Sequence, residues 1–522
     1  MLTKIKRIMT SRLFIFAIII LLQLAMITSL VLTLSQRGAM VYSVMTVISL
    51  VIALALFSSD LNPAYKMIWG LLIVFLPIIG SFYFLLWHRI KLPKKMRRTL
   101  LNIHKATKEL NPQDPKALAD LEAQLPDAAR QVSQLSVTAQ APVYPNYNAA
   151  YFPSGEEWFA DLLPALEKAE EFIFMEFFII NHGKMLERVL EVLERKAKAG
   201  VEIKFLYDDI GTILLLPHSF LNELRSRGIE AKLFNPMRPW LYGFVNSRDH
   251  RKIVVIDGKV GYTGGCNLAD EYINEEHPYG YWKDTMVRIE GPAVWSLSLM
   301  FLRSWSMDLG PEQVGQVDYL RYKKDWPALP AGSFRQPGAA DGFVQPYGST
   351  PLANTTPAEN AYLQLINRAN DYIYITTPYL ILDNELAYAL CLAASSGVDV
   401  RLITPGIPDK KMVFMLTQSY YGQLIRHGVK IYEFEPGFVH AKMFVSDDRK
   451  AIVGTANLDF RSLYLHFECC AEFYQSSIAL EVRDDFLKTQ ALCREITRQD
   501  LAETSGAKRL IQSLLRFIAP LM

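Results

Sequence analysis

The sequence predicts an α/β protein of two homologous lobes, related by an internal pseudo-two-fold axis and preceded by an N-terminal transmembrane helical segment. Three observations predict it. An H-x-K-x4-D motif occurs twice, at His250–Lys252–Asp257 and at His440–Lys442–Asp447. Helix and strand patterns alternate in the same order ahead of each copy, as in α/β folds. Long uncharged apolar runs fill the chain before Trp87.

The apolar runs come first. Leu13 to Leu34 and Met67 to Trp87 carry no charge and are long enough to span a bilayer. Met40 to Phe57 is uncharged but shorter. Pro77 and Gly80 lie inside the last run, and membrane helices tolerate both. Trp69, Tyr83 and Trp87 sit near its ends, as interfacial aromatics do. The first run is too long for a cleaved signal peptide, and Ser35-Gln36-Arg37-Gly38 offers no cleavage site. Lys4, Lys6, Arg7 and Arg12 precede the first run, and a denser basic stretch from His88 to Arg98 follows the last. Both flanks favour the cytoplasm. The denser one carries the large domain, which is therefore expected inside. Either the N-terminus is then outside, or one of the first two runs does not cross.

Residues 99–153 read as a connector, a helix from about Asn102 to Leu125 and then irregular chain interrupted by Pro126, Pro142 and Pro145. The first lobe, 154–325, begins with an amphipathic helix over Glu156 to Ala169 and a strand over Glu171 to Ile180. It continues with a helix over Lys184 to Ala199, a strand over Val201 to Tyr207, a helix over Pro217 to Arg227 and a strand over Ile229 to Phe234. The second lobe, 326–495, repeats the plan with helix Glu359–Ala369, strand Asp371–Leu380, helix Glu385–Ser395, strand Val398–Thr404 and helix Val413–Arg426. Gly228 to Pro236 aligns with Gly428 to Pro436, and Gly200 to Lys204 with Gly397 to Arg401. Residues 496–522 form a C-terminal tail. The first copy has extra chain between the shared Pro and the motif His, with Trp240, Tyr242 and Phe244 in it. Its aromatics suit a lip that touches a bilayer or acyl chains.

Composition bounds the partners. The 522 residues exceed one ordinary domain, and a net charge of +2 does not announce a nucleic-acid binder. The five cysteines have no metal-site spacing and read as a reduced, cytosolic set. The run after each motif His is β-branched and apolar, a buried strand, and each copy leads to a small-residue turn ending in Asn: Gly264-Gly265-Cys266-Asn267 and Gly454-Thr455-Ala456-Asn457. Residues two apart on a strand share a face, so His and Lys point one way. Two such strands would gather two imidazoles and two ammonium groups. That set suits a phosphodiester: the cations hold the phosphoryl oxygens, one His attacks and the other protonates the leaving alcohol. Asp257 and Asp447 complete the motif set, but five residues beyond each Lys they read as holding turns.

The paired motifs resemble the HKD motifs of the phospholipase D superfamily. Within it the chain looks most similar to bacterial cardiolipin synthases, over nearly its whole length. The likeness rests on Asn246 to Lys252, Gly264 to Asn267, Asp270-Glu271-Tyr272, Tyr281-Trp282-Lys283-Asp284, Thr377-Pro378-Tyr379, Gly437 to Lys442, Gly454 to Ser462 and Phe467-Glu468. His466 departs from it, standing where such enzymes usually have Asn. The resemblance implies phospholipase D-like lobes with a mixed sheet flanked by helices, and phosphatidyl transfer between two phosphatidylglycerols to give cardiolipin and glycerol. It implies a covalent phosphohistidine, no cofactor and no metal. His250 would be the nucleophile and His440 the acid and base. Lys252, Lys442, Asn267 and Asn457 would hold the phosphate. Glu468, following His440, and Asp284, following His250, would orient the rings. Partners would be membrane phospholipids and the bacterial cell membrane, crossed several times, with the lobes cytoplasmic and no nucleic acid bound. The alternatives are another phosphatidyltransferase or a phospholipase D that passes the group to water.

Overall fold

The computed structural model describes residues 29 and 38–521, apart from 60, 88–93, 146, 237–245, 327–341 and 352–354. The run expected over 13–34 and the aromatic loop around Trp240 therefore lie outside the described residues.

The chain divides into two compact units. The smaller contains helices Gly38–Phe57, Pro63–Phe75 and Pro77–Trp87, packed around Ala53, Leu56, Ile73 and Phe84. Val47, Leu54, Val74 and Phe75 of these helices are exposed. Among the described residues no helix is long and apolar enough to cross a membrane. The expected single crossing over Met67 to Trp87 is broken after Phe75. Pro77 has no N–H to donate and pushes the preceding residue out of the helical region, and Leu76 sits at φ −128°, ψ 70°.

The larger unit holds both lobes. In the first, a seven-stranded mixed sheet runs in the order β1-β8-β6-β5-β2-β3-β4. The strands are β1 (Asn148–Phe152), β2 (Phe172–Phe177), β3 (Glu202–Asp208), β4 (Glu230–Phe234), β5 (Ile253–Ile256), β6 (Val260–Gly264) and β8 (Met286–Glu290), with β7 (Tyr281–Lys283) apart. The second sheet contains β9 (Phe343–Ser349), β10 (Tyr372–Thr376), β11 (Asp399–Pro405), β12 (Lys430–Phe434), β14 (Met443–Ser446), β15 (Lys450–Gly454), β16 (Glu468–Tyr474) and β17 (Cys493–Ile496), with β13 (Gly437–Val439) apart. Its order, β9-β16-β15-β14-β10-β11-β12-β17, repeats the first sheet strand for strand and adds β17 at the edge. In each lobe the three parallel strands come from the βαβ repeats, and the motif strand (β5 or β14) joins them antiparallel.

The strand pattern explains the layers. Along β2, Phe172 and Phe174 face one side, and Ile173, Met175 and Phe177 the other. The second set packs under helices Gly155–Glu167, Lys184–Lys198 and Phe220–Ser226. The first joins residues of the second sheet, such as Tyr374, Val445 and Val453, in one shared core. Helices Val294–Trp305 and Ser477–Gln490 contribute to that core, where Phe174 stacks on Phe301 at 4.6 Å between centroids. The lobes are therefore held by a common apolar interior, not by a hinge.

The stretch expected as a connector is more ordered than its composition suggests. It forms helices Lys94–Thr107, Pro115–Gln124 and Pro126–Thr138, and β1 then joins the edge of the first sheet against β8. Pro115 and Pro126 occupy first-turn positions, where a missing N–H costs nothing. The tail forms helices Arg498–Ala502 and Gly506–Ile518, the latter capped by Ser505 and docked through buried Leu515.

Candidate active site

Each motif His lies just before its strand, in an extended segment that pairs with the other lobe. The His440 N–H donates to the Lys283 carbonyl at 2.7 Å, because β13 runs parallel to β7. The His250 N–H donates to the Phe467 carbonyl at 2.9 Å, through the parallel bridge of Asp249 with Phe467. The two contacts are reciprocal: each His binds the residue just before the other lobe's orienting carboxylate.

That backbone register decides the carboxylate partners. His440 Nδ1 is 2.6 Å from Asp284 Oδ2, and His250 Nδ1 is 3.0 Å from both Glu468 oxygens. The pairing expected within each lobe is thus exchanged between lobes. The resemblance implied the first arrangement; strand pairing across the axis dictates the second. Nδ1 being engaged, Nε2 of each ring is the atom left for chemistry.

The lysines stand with the histidines. Lys252 Nζ donates to the His250 carbonyl at 2.6 Å, and Lys442 Nζ likewise to the His440 carbonyl. Each ammonium is tethered to its own motif turn, before the strand begins at Ile253 or Met443. Burial lowers Lys252 to about 7 and Lys442 to about 8 against the attraction of Glu468 and Asp284. Burial and the lysines also push His440 down to about 4 and His250 well below its ordinary value. Both rings are therefore neutral until an anion enters. Burial alone would raise Asp284, but His440 and Lys442 outweigh it and hold it below its ordinary value. Glu468 is raised by burial. The two ring–carboxylate pairs are electrostatically unlike.

Two turn residues seat the carboxylates differently, although the Thr455 hydroxyl lowers Glu468 against its burial. A Cβ on Gly265 would lie 1.9 Å from Asp284 Oδ1, so only glycine lets this carboxylate sit there. Thr455 takes the matching place in the second turn and donates its hydroxyl to Glu468. Asp284 instead accepts the Thr285 N–H at 2.8 Å. In β2, burial and the facing Asp249 carboxylate raise Glu176 far above its ordinary value. Thr376 holds the corresponding place in β10.

The asparagines close the turns. Asn267 accepts the Ile179 N–H at 2.9 Å and donates to the Tyr272 hydroxyl at 2.7 Å. Asn457 donates to Asp459 at 3.0 Å. Each amide nitrogen has one hydrogen committed and one left for a ligand. Asp257 and Asp447 are not brought to the site. They lie beyond the far ends of β5 and β14, about 15 Å of chain from the lysines. Asp257 accepts the N–H groups of Glu170, Glu171 and Phe172 at 2.8–2.9 Å, and Asp447 those of Asn370, Asp371 and Tyr372 at 2.9–3.0 Å. They pin the start of β2 and β10.

The site also gathers ring neighbours outside the two H-x-K motifs, of which Phe178 alone lies outside both the stretches that carry the resemblance and the departure at His466. Phe178 meets the His250 ring edge-on at 5.1 Å, and Tyr272 meets the His440 ring at 5.4 Å. Trp282 lies 5.4 Å from His440 with the planes at 44°, and His466 lies 5.7 Å from His250, also at 44°. Trp282 stands two residues before Asp284 and His466 two before Glu468. They are equivalent positions, occupied by an indole in one lobe and an imidazole in the other.

Residues 162–293 and 362–489 match the family described as "Cardiolipin synthase, PLD-like domain", one match to each lobe. A protein from Geobacillus kaustophilus named cardiolipin synthase is 35% identical over 90% of this chain and 91% of its own. The chain belongs to the cardiolipin synthase family. It is a phosphatidyltransferase of the phospholipase D type. An uncharacterized protein of Streptococcus mutans is 41% identical over 90% of this chain and 99% of its own. The crystal structure of phosphatidylserine synthase from Haemophilus influenzae shares the fold, with a TM-score of 0.54 at 15% identity over 75% of this chain and 97% of that one.

Proposed function

We propose that this cardiolipin synthase family member moves a phosphatidyl group from one phosphatidylglycerol to the hydroxyl of another, with release of glycerol. The reciprocal backing of His250 by Glu468 and of His440 by Asp284 carries the mechanism. His250 Nε2 attacks phosphorus. The phosphodiester anion lies against the Lys252 and Lys442 ammoniums, with the free Asn267 and Asn457 amide hydrogens as further donors. Its negative charge raises the histidine pKa values, and His440, backed by the lowered carboxylate of Asp284, is the better proton holder. It protonates the glycerol oxygen as the P–O bond breaks. The acceptor hydroxyl then gives its proton to His440 and attacks the phosphohistidine, freeing His250. His250, buried deep and poorly charged, keeps the lone pair a nucleophile needs. One ring stays neutral and the other cycles its proton, as acid–base chemistry at one pH requires. Asp257 and Asp447 serve the fold.

The same reading places the protein at a bacterial cell membrane, as a multi-pass protein with cytoplasmic lobes. The uncharged runs before Trp87 and the basic flank after them support it. Helix Gly506–Ile518 supports membrane contact independently. Leu510, Ile511, Leu514, Phe517 and Ile518 are exposed on it, Lys508 and Arg509 flank them, and the helix holds no acidic residue. Such a basic amphipathic helix suits an anionic lipid surface. Phosphatidylglycerol-only vesicles test the activity: cardiolipin and glycerol support it, and phosphatidic acid as the main product would replace it by hydrolysis.

A further inference from the structure

The position where the two lobes differ most sharply is His466. Its ring is buried at both nitrogens, and among the described residues neither has a hydrogen-bond partner. A buried imidazole without partners forgoes hydrogen bonds it could make in water. The lobe-one equivalent, Trp282, fills the same place with an indole. Packing alone therefore does not call for an imidazole here.

What the ring faces is a ligand set. One ligand atom each from His250, His466 and Glu468 can be chosen so that all lie within 4.8 Å of one another. His250 Nδ1 to Glu468 is 3.0 Å, and His466 Nδ1 to Glu468 Oε1 is 3.9 Å. Zinc holds nitrogen and carboxylate oxygen at about 2.0–2.1 Å, so tetrahedral ligands stand about 3.3 Å apart. The observed separations bracket that value. The ring that must move is His466, and no hydrogen bond to a described residue restrains it. Two imidazoles and one carboxylate with a fourth position open is a common zinc donor set. Lys252, Lys442, Lys410, Arg248 and Arg461 face the two rings, and the Glu468, Asp284, Asp249 and Asp459 carboxylates offset them in part, so the ion is held chiefly by its three ligands.

We propose that His250, His466 and Glu468 form an inhibitory site for a divalent transition-metal ion, zinc above all. On binding through His250 Nδ1, the ion replaces the proton shared with Glu468, and that proton leaves to solvent. The ring then loses its carboxylate and gives electron density to the metal. On binding through Nε2, the ion covers the attacking atom itself. Either way the phosphohistidine cannot form, and a chelator restores the enzyme. The inhibitory half rests on the nucleophilic role of His250; the binding half does not.

The test uses untagged full-length protein in detergent, with Co2+ as the spectroscopic probe and Zn2+ as the inhibitor. Co2+ is expected to bind at one equivalent with the visible absorption of a four-coordinate ion, displaced by Zn2+. The absorption should persist in His440→Asn and vanish in both His466→Asn and His466→Gln. Zn2+ should inhibit cardiolipin formation reversibly by EDTA. Each His466 variant, measured against its own uninhibited rate, should need more than about tenfold more Zn2+, since even outer partners of metal ligands are worth that much affinity. Circular dichroism separates lost folding from a lost ligand. A Co2+ spectrum unchanged in both variants, or no stoichiometric Co2+ binding by the wild type, overturns the site. Stoichiometric binding with no effect on the rate overturns the inhibition. A wild type that makes no cardiolipin but shows the His466-dependent spectrum overturns the proposed activity and leaves the metal site standing.

Discussion

Glu468 stands behind His250, 218 residues away in sequence, with both carboxylate oxygens 3.0 Å from Nδ1. The contact exists because the strand leading to Glu468 pairs with the segment leading to His250. Neither lobe has a complete ring–carboxylate pair of its own. The active site is made by the association of the lobes, and their shared core fixes its geometry.

The exchanged pairing gives the nucleophile and the acid–base ring separate carboxylates. Glu468→Gln should slow formation of the phosphohistidine on His250. Asp284→Asn should instead impair the proton transfers of His440. Losses of about 10²- to 10⁴-fold in turnover are expected, the usual worth of a positioned acid or base. Rapid-quench labelling with phosphatidyl-labelled substrate distinguishes them: adduct on His250 should build up more slowly in the first, while His440→Asn should accumulate it. Label found on His440 alone would reverse the roles.

Gly265 and Thr455 serve different carboxylates, and substitutions there should show in different measurements. Gly265→Ala puts a methyl against Asp284 and should displace it from His440, with large loss of turnover. Thr455→Val removes one donor from Glu468 and should cost about 1–3 kcal/mol of stability. Denaturant unfolding and initial rates on the same preparations check both. An active, unperturbed Gly265→Ala protein would contradict the geometry.

Asp257 and Asp447 are expected to behave as structural residues. Asp257→Ala leaves three backbone N–H groups of the β2 entry without their acceptor. Stability should fall by several kcal/mol at most, and the melting temperature with it, while the rate per folded molecule stays near wild type. A folded but inactive Asp257→Ala protein would move this residue into the chemistry.

Acid sensitivity follows from His440. Its folded value of about 4 lies below the ordinary value of about 6.5. The unfolded chain therefore binds the extra proton over that interval, and stability declines as pH falls from about 6.5 towards 4. His440→Asn should lessen the decline in melting temperature over this interval, the share of His250 and His466, which burial also lowers, remaining. A decline of unchanged steepness would mean that other groups cause it.

The repeat makes the two lobes legible, because the apolar strand cores recur with the same glycines, Gly228 matching Gly428 and Gly200 matching Gly397. The motifs make His250, Lys252, His440 and Lys442 legible for the same reason. The partner of each ring was not legible. That choice depends on parallel pairing between β7 and β13, which leaves no periodicity in either three-residue strand. The equivalence of His466 and Trp282 was hidden likewise, since the two residues share no chemistry. Pro77 did carry a signal, and its effect was stronger than the tolerance of membrane helices for proline suggests: the helix ends before it.

Helix Gly506–Ile518 gives the surface prediction. Leu510→Glu with Leu514→Glu should lower the rate on vesicles dilute in phosphatidylglycerol and leave the rate in detergent micelles unchanged. Equal rates on vesicles would remove the helix from membrane contact.

The most direct measurement is the product made by the purified full-length enzyme in bilayers of phosphatidylglycerol alone. Water far outnumbers lipid hydroxyls, but correct positioning of an acceptor can be worth about 7 kcal/mol. Equal amounts of cardiolipin and glycerol are predicted, with phosphatidic acid minor and added glycerol driving the reaction backward. Phosphatidic acid as the dominant product, with cardiolipin insensitive to added glycerol, would contradict it.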